Sequence, residues 1–178
     1  MSDMSVTVDN VVLSSQFVTD HEVALYILLV RRAFDPFKGF LALPGGFVDV
    51  SEWMQEAAER ELTEETGLVA RPYKVLTPRT DPTRDPRGRV ISFPFLYTVE
   101  NCPDVQGADD AESAQWVEID SLKLQTEQNG LAFDHAAIIR EALDEIVELT
   151  ISLNELETSS EYRALMTLRS AGKGVPQF

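Results

Sequence analysis

The residues best suited to chemistry are three glutamates near the end of one predicted helix. A helix is expected from Ser51, a residue type that caps helices, to about Thr66, because the following glycine is a common C-terminal stop. At about 3.6 residues per turn, Glu61, Glu64 and Glu65 fall on one face of that helix. Such a carboxylate cluster either binds a cation or is an acidic face exposed to solvent.

The apolar residues of the same helix favour the cation. A helical projection places three of them on the side of the three glutamates: Met54, Ala57 and Ala58. Three other glutamates lie opposite and form the solvated face: Glu52, Glu56 and Glu59. Carboxylates that pack toward a sheet repel one another and lose hydration, which a bound cation compensates. Oxygen ligands at this density suit Mg²⁺ or Mn²⁺ rather than zinc.

Segment 46–68 matches the pattern G-x5-E-x7-R-E-U-x-E-E-x-G-U, in which U is aliphatic, at every fixed position. The matching residues are Gly46, Glu52, Arg60, Glu61, Leu62, Glu64, Glu65, Gly67 and Leu68. This pattern is the signature of the Nudix hydrolases, and so many fixed positions make it far more specific than a lone glycine-rich or acidic motif. The chain therefore resembles that family.

The resemblance implies roles for residues around the glutamates. It implies that Glu52 and Arg60 form ion pairs that orient the metal-binding glutamates; the alternative is a plain surface pair of little energetic value. It also implies a backbone carbonyl ligand to the metal at Gly45 or Gly46, of which we choose Gly45. Without the family, these two glycines simply predict a tight turn.

The same resemblance implies that water attacks a diphosphate phosphorus with the help of Mg²⁺ or Mn²⁺. Glu61 and Glu65 are the expected metal ligands, and Glu64 is either a third ligand or the base. Nudix hydrolases often take the base from outside the signature. Three acids precede Trp116 in a predicted loop: Asp109, Asp110 and Glu112. We favour Glu112, although solvation of the loop explains it equally well.

Segment 81–92 points to the substrate. It resembles the D-P-x-R-x-x-R-G-R-x-I/V-S pattern of Nudix domains that act on ADP-ribose and related NAD metabolites, and Pro82 fits a proline typical of ADP-ribose pyrophosphatases. Arg84, Arg87 and Arg89 concentrate positive charge in an acidic protein, as a diphosphate pocket requires. The alternative is that they pair with aspartates 81 and 85 and stiffen the loop, and both can hold.

Aromatic residues offer further substrate contacts. Phe34, Phe37 and Phe40 supply rings for stacking on adenine, with Phe37 as our choice, or else belong to the core. Asp134 and His135, preceded by a phenylalanine, resemble an F-D-H element of the same subgroup. Asp134 is accordingly either a pocket residue or the N-cap of a helix.

The elements that must position these residues predict an α/β fold. Strands are expected at 6–13, 22–30, 40–43, 46–48, 71–76, 90–100 and 114–119, and helices at 134–149 and 153–169 after the signature helix. Their order indicates a mixed β-sheet between helices, a Nudix-type α/β/α sandwich, and with no repeat or linker visible we expect residues 1–178 to form one domain.

Composition limits the partners. The 178 residues carry a net charge of −15, which disfavours nucleic acid as a general partner, and Cys102, the only cysteine, cannot form an internal disulfide. We also expect no membrane span or export signal, and hence a cytoplasmic protein. The family suggests a homodimer.

The function expected from these residues is hydrolysis of a nucleoside diphosphate linked to another group, with ADP-ribose giving AMP and ribose 5-phosphate. One alternative is a regulator that senses ADP-ribose and binds DNA, although the residues after Leu149 are few and poor in bases for a DNA-binding module. Another is a pyrophosphatase that removes damaged nucleoside triphosphates.

Overall fold

The computed structural model describes residues 4–19, 22–107, 111–122 and 130–158. Six strands and two helices follow one another in these segments. The strands are β1 (Met4–Thr19), β2 (Glu22–Arg32), β3 (Leu41–Ala42), β4 (Lys74–Val75), β5 (Arg89–Glu100) and β6 (Ala111–Glu118). The helices are α1 (Met54–Thr66), between β3 and β4, and α2 (His135–Thr158), after β6 and a short 3₁₀ turn. The predicted α/β fold with a mixed sheet is confirmed.

The sheet is mixed because its two longest neighbours run parallel. β1 pairs with β5 in parallel from Met4 opposite Arg89 to Ser15 opposite Glu100. β2 lies antiparallel to β1, and it also pairs antiparallel with β3 and β6. β4 adds two residues antiparallel to β5. A parallel pair needs a crossover between its strands, and α1 lies in that crossover.

The side chains of β1 alternate between two environments. Val8 and Val12 are fully buried in the cluster that packs against α1, where they meet Ala57, Ala58 and Leu62. Thr7 and Asp9, which flank Val8 in the strand, point to the opposite face of the sheet and line a cleft there. Asn10, on the helix side, is buried and donates from Nδ2 to the Ala58 carbonyl at 3.0 Å, which adds a polar tie between β1 and α1.

Helix α1 begins three residues later than the sequence predicts. The Trp53 backbone N–H donates to Glu56 Oε2 at 2.8 Å, so the reciprocal capping contact forms at Trp53 rather than at Ser51. Glu52 instead turns back and accepts from the Asp49 N–H at 2.8 Å. At the other end Gly67 takes a left-handed φ of 70°, as predicted for the stop.

Two predictions for the later elements are wrong. The strand expected at 71–76 contains only Lys74–Val75 as ladder pairs, because Pro72 has no N–H to donate. The break expected between two C-terminal helices is absent, since α2 continues to Thr158 through residues 149–153, where no glycine or proline ends it. The rest of the second predicted helix, 159–169, lies outside the described residues.

The chain divides into two compact units, Met1–Ala142 and Leu143–Phe178. The first contains the whole sheet, α1 and the start of α2, whereas the described part of the second is the continuation of α2. No helix in the described ranges is long and apolar enough to cross a membrane.

Candidate active site

The glycine turn after β3 brings two glutamates of α1 to one place. The Gly45 N–H donates to Glu65 Oε2 at 2.9 Å. The Glu61 carboxylate lies against the Cα of Gly46, where a Cβ would approach Glu61 Oε1 to 2.4 Å. A Cβ on Gly45 would meet the Val8 carbonyl oxygen at 2.1 Å, so the backbone of β1 leaves no room there either. Glycine is thus needed at both positions for close approach rather than only for a turn.

Arg60 forms hydrogen bonds with three glutamates of the signature. Its Nε and Nη2 donate to the two carboxylate oxygens of Glu52 at 3.0 and 2.6 Å. Its Nη1 reaches Glu61 at 2.8 Å and Glu64 at 2.9 Å, and Nη2 also donates to the Phe47 carbonyl. Its hydrogen bond with Glu52 is the main reason why the pKa of Arg60 is raised and that of Glu52 is lowered. The ion pair expected between Glu52 and Arg60 is present.

The three glutamates of the predicted cluster differ in exposure. Glu65 is buried, and Glu61 is mostly so; burial raises the pKa of the Glu61 carboxyl more than Arg60 lowers it. Glu64 has 47% of its side chain exposed, so the prediction that it packs toward the sheet is wrong. The same holds for Met54, which stands exposed in the first turn of the late-starting helix.

The cleft on the Thr7 side of the sheet includes this turn. Gly45, Gly46 and Glu65 line it, and they share it with groups of opposite charge and with aromatic rings. The cationic residues are Arg32, Arg84 and Arg87, and the rings are Phe34, Phe47 and Phe133. Carboxylates, guanidinium groups and aromatic faces in one concave site are suited to a ligand that is both anionic and aromatic.

A buried charge network forms the floor of the cleft. Arg84, with 3% of its side chain exposed, donates to Asp9 at 3.1 Å and to both carboxylate oxygens of Asp134, the closest at 2.7 Å. Ser92 also donates to Asp9. Burial would raise the pKa of Asp9, but interactions with His135, Arg84 and Ser92 outweigh it and lower that pKa to about 2. Asp9 therefore stays ionised at neutral pH.

His135 is fixed in one tautomer by two partners. Its Nδ1 accepts from the Leu43 backbone N–H at 2.9 Å, so the proton of the neutral ring lies on Nε2. Nε2 faces Asp9 Oδ1 at 3.3 Å. The ring is buried, and it ties the start of α2 to β1 and to the segment after β3. Asp134 precedes α2 as the N-cap alternative requires, but its carboxylate binds Arg84.

Two predicted substrate-site residues differ from Arg84 and Arg87, which line the cleft, and from Asp134, which binds Arg84. Arg89 is not among the residues that line the cleft in the described chain; its Nη1 donates to the Thr80 carbonyl at 2.7 Å. Phe37 also lies outside the lining and packs edge-on against Phe133, with ring centroids 4.8 Å apart, because it belongs to a small hydrophobic cluster. Of the three phenylalanines considered for stacking, Phe34 is the one that lines the cleft.

The loop acids proposed as bases lie mostly beyond the described chain. Asp109 and Asp110 are outside the described residues. Glu112 belongs to β6, but its side chain also lies outside the described part. Its role stays a prediction.

Sequence reasoning missed Asp9, which contacts Arg84, Ser92 and His135 in the cleft. The available signal was the polar pair Asp9–Asn10 inside the apolar strand β1. Polar side chains buried in a central strand need partners, so such a pair marks either a buried network or a site. The sequence did not show which distant residues those partners are.

This fold and site define a domain with a mixed sheet, a glutamate-bearing helix and a cleft lined by arginines, carboxylates and aromatic rings. Residues 9–142 match the family model described as the NUDIX domain, which takes in well over half of the chain. The chain therefore belongs to the NUDIX domain family.

Relatives and solved structures place it more narrowly. The chain is 43% identical over 115 residues to an ADP-ribose pyrophosphatase of Methanocaldococcus jannaschii, covering 65% of this chain and 64% of that protein. It is 32% identical over 121 residues to an ADPR-responsive transcriptional repressor of Acinetobacter baylyi, covering 66% of this chain and 46% of the repressor. The chain thus spans less than two thirds of either relative.

Two crystal structures share the fold. One is a MutT/nudix family protein from Enterococcus faecalis, with a TM-score of 0.74, 32% identity and coverage of 83% of this chain and 64% of that one. The other is the NUDIX domain of NrtR from Shewanella oneidensis in complex with ADP-ribose, with a TM-score of 0.69, 28% identity and coverage of 82% and 90%.

Proposed function

We propose that this chain is a metal-dependent pyrophosphohydrolase that cleaves ADP-ribose to AMP and ribose 5-phosphate. The observation that carries the proposal is the convergence of Glu61 and Glu65 on the Gly45–Gly46 turn beside a cleft that also holds Arg87 and aromatic rings. The similarity to an ADP-ribose pyrophosphatase supports the substrate.

The glutamates and the turn suit Mg²⁺ or Mn²⁺. No three acidic, histidine or cysteine side chains converge as a metal cluster in the described ranges. Mg²⁺ does not need such a cluster, because it commonly binds one or two carboxylates together with substrate phosphates and water. Glu61 and Glu65 would be those carboxylates, and the Gly45 carbonyl a further ligand. The carbonyls on either side of it already accept from β1, at Asn10 and Val8.

The cation would supply positive charge to the phosphate oxygens while water attacks one phosphorus and the bond between the two phosphates breaks. Arg60 would hold Glu61 in place, and Glu52 would hold Arg60. Glu64, exposed beside Arg60, is available as a third ligand or as the base, and Glu112 is the alternative base. The cleft excludes part of the solvent from these groups.

A sensor is the second function that a specific observation favours. The relative from Acinetobacter baylyi is an ADPR-responsive repressor, and the NUDIX domain of NrtR binds ADP-ribose in its crystal structure. A sensor needs the cleft but not the glutamates of α1, whereas an enzyme needs both. The complete set of signature glutamates therefore favours hydrolysis over sensing alone. A nucleoside triphosphate pyrophosphatase would use the same helix with a different pocket.

The remaining properties are part of the same proposal. We infer a single NUDIX domain over residues 1–178 in the cytoplasm, acting on a small molecule without nucleic acid, and forming a homodimer as many family members do. The net charge of −15 supports the exclusion of nucleic acid.

A substrate panel tests the proposal. The purified protein is incubated with Mg²⁺ or Mn²⁺ and, in parallel, with ADP-ribose, NADH, diadenosine polyphosphates and nucleoside triphosphates, and the products are separated by chromatography. We expect ADP-ribose to be cleaved fastest, to AMP and ribose 5-phosphate in equal amounts. Faster release of pyrophosphate from a nucleoside triphosphate would instead establish the triphosphate pyrophosphatase.

A further inference from the structure

The three arginines of segment 81–92, two in the loop before β5 and one at the start of β5, have different environments, although the sequence pattern does not distinguish them. Arg84 and Arg87 both line the cleft, but the Arg84 side chain is buried whereas that of Arg87 is 40% exposed, and Arg89 donates to the Thr80 carbonyl. To bind a ligand anion, an arginine needs an N–H group that is not already bonded within the protein, and its positive charge must not be outweighed by neighbouring carboxylates. That criterion separates the three.

Arg84 fails the criterion because carboxylates outnumber it. Its Nε donates to Asp134, and its Nη2 donates to both Asp134 and Asp9. One positive charge facing two negative charges leaves this group net negative, which repels a phosphate. Arg84 therefore positions the network rather than the ligand.

Arg87 meets the criterion. Asp85, with 1% of its side chain exposed, accepts from Nε at 3.0 Å and from Nη2 at 2.7 Å, and so fixes one edge of the guanidinium. Nη1 has no acceptor within the described part of the chain. The Arg87 side chain is 40% exposed, and it lines the cleft. An arginine fixed on one edge by a buried carboxylate presents its other edge with little loss of side-chain entropy.

Two aromatic rings fix the plane of the same guanidinium. The Cζ of Arg87 lies 5.1 Å from the centroid of the Phe47 ring and 5.5 Å from that of Phe133. Phe133 holds its ring there from a left-handed backbone, at a φ of 51°, which is unfavourable for a bulky residue. Strain of this kind persists where the surrounding structure enforces it, and it is common at ligand sites.

We propose that Arg87, oriented by Asp85 and by the rings of Phe47 and Phe133, is the arginine that binds the diphosphate of the ligand and selects for it. Arg84 positions the cleft floor, and Arg89 has no part in binding. The assignment of a diphosphate rests on the proposed function, because it takes ADP-ribose as the ligand. It applies equally to an enzyme and to a sensor.

Binding without metal tests this assignment separately from hydrolysis. The dissociation constant for ADP-ribose is measured by calorimetry in EDTA for the wild-type protein, Arg87→Gln and the matched control Arg89→Gln, which removes the same charge from the same segment. We expect Arg87→Gln to weaken binding about 10- to 100-fold, the range of a charged hydrogen bond. Arg89→Gln should change binding less than about twofold. Because Arg87→Gln leaves the buried Asp85 carboxylate without its cation, its melting temperature should fall, so binding is measured well below the melting temperatures of both variants.

Two further variants distinguish contact from folding. Arg87→Lys keeps the charge but not the planar, two-sided geometry, so it should restore only part of the affinity. Arg84→Gln should also lower the melting temperature, because it leaves two carboxylates without their cation. Unchanged binding by Arg87→Gln, equal weakening by Arg89→Gln, or no binding of ADP-ribose to the wild type would each overturn the proposal. Tight binding without turnover would overturn the hydrolase and leave the role of Arg87 intact.

Discussion

At the scale of single residues, Arg60 has the most partners at the acidic end of α1. It bonds three glutamates and the Phe47 carbonyl, and it balances carboxylates that would otherwise repel one another. The pKa of Glu61 is raised even so, because its burial outweighs the attraction of Arg60. The geometry of Glu61 therefore depends on Arg60.

Replacing Arg60 should weaken metal binding more than it weakens the fold. In Arg60→Gln the Glu61 carboxylate loses its neighbouring cation and is free to turn away from the Gly46 turn. The Mg²⁺ concentration for half-maximal activity should rise about 10- to 100-fold, as is typical when a residue that supports a metal ligand is lost. Titration of activity with Mg²⁺ measures it, and Arg89→Gln serves as the control. An unchanged Mg²⁺ requirement would show that Arg60 does not support the ligands.

Single residues were predictable from sequence where a local pattern specified them. The helical period placed Ala57, Ala58 and Glu65 on the packed side correctly, and the resemblance to the Nudix signature implied the pairing of Glu52 with Arg60. The partners of Asp9 were not predictable, because they lie 75 or more residues away in the chain. Such contacts follow from strand register, which no local pattern encodes.

At the scale of elements, the glycine turn and α1 form one unit. Neither Gly45 nor Gly46 has room for a Cβ, but different atoms fill the space at the two positions. At Gly45 it is the backbone of β1, whereas at Gly46 it is the movable end of the Glu61 side chain. Two adjacent substitutions should therefore have different consequences.

Gly46→Ala should impair catalysis at little cost in stability, because the Glu61 carboxylate can swing aside. Gly45→Ala should cost stability, about 2 kcal/mol or more, because a Cβ at 2.1 Å from the Val8 carbonyl forces backbone atoms apart. Urea unfolding and steady-state kinetics on both variants measure the two effects. If both variants lost stability equally, the Glu61 carboxylate would not be moving aside in Gly46→Ala.

Elements were predictable in kind but less so in extent. The strand β5 was found within one residue of the predicted 90–100, whereas β1 continues to Thr19, six residues beyond the predicted 6–13. The start of α1 was missed by three residues, because the side chain of Glu52 bonds the Asp49 backbone and Arg60 instead of joining the helix. A propensity for capping at Ser51 could not show that competition.

At the scale of the whole first unit, Asp9 joins distant parts of the chain. Arg84, His135 and Ser92 connect it with the loop before β5, the start of α2 and β5, respectively. Because the pKa of Asp9 is about 2 in the folded protein and about 3.9 in an unfolded chain, the unfolded state binds more protons between these values. Asp9 therefore stabilises the fold fully above about pH 4, and its contribution is lost as the pH falls toward 2.

Asp9→Asn should reveal this contribution as a difference between two pH profiles. At pH 7 the variant should be less stable than the wild type by about 3 kcal/mol, since Arg84 loses its buried carboxylate partner and keeps only the part-exposed Asp134. That difference should shrink between pH 4 and pH 2. Urea unfolding across this range measures it, with Asp104→Asn, at an exposed carboxylate, as the control. A constant difference would mean that the Asp9 pKa is not lowered by folding.

The most direct test of the central claim measures binding and turnover of ADP-ribose on the same preparations of wild-type protein and Glu65→Gln. The substituted amide still offers an oxygen to the Gly45 N–H, so the turn should survive while one metal-binding carboxylate is lost. We predict that the wild type converts ADP-ribose to AMP and ribose 5-phosphate with Mg²⁺, and that the variant binds it in EDTA as the wild type does but turns it over at least about 100-fold more slowly. Tight binding without turnover by the wild type would contradict the hydrolase and establish the sensor in its place.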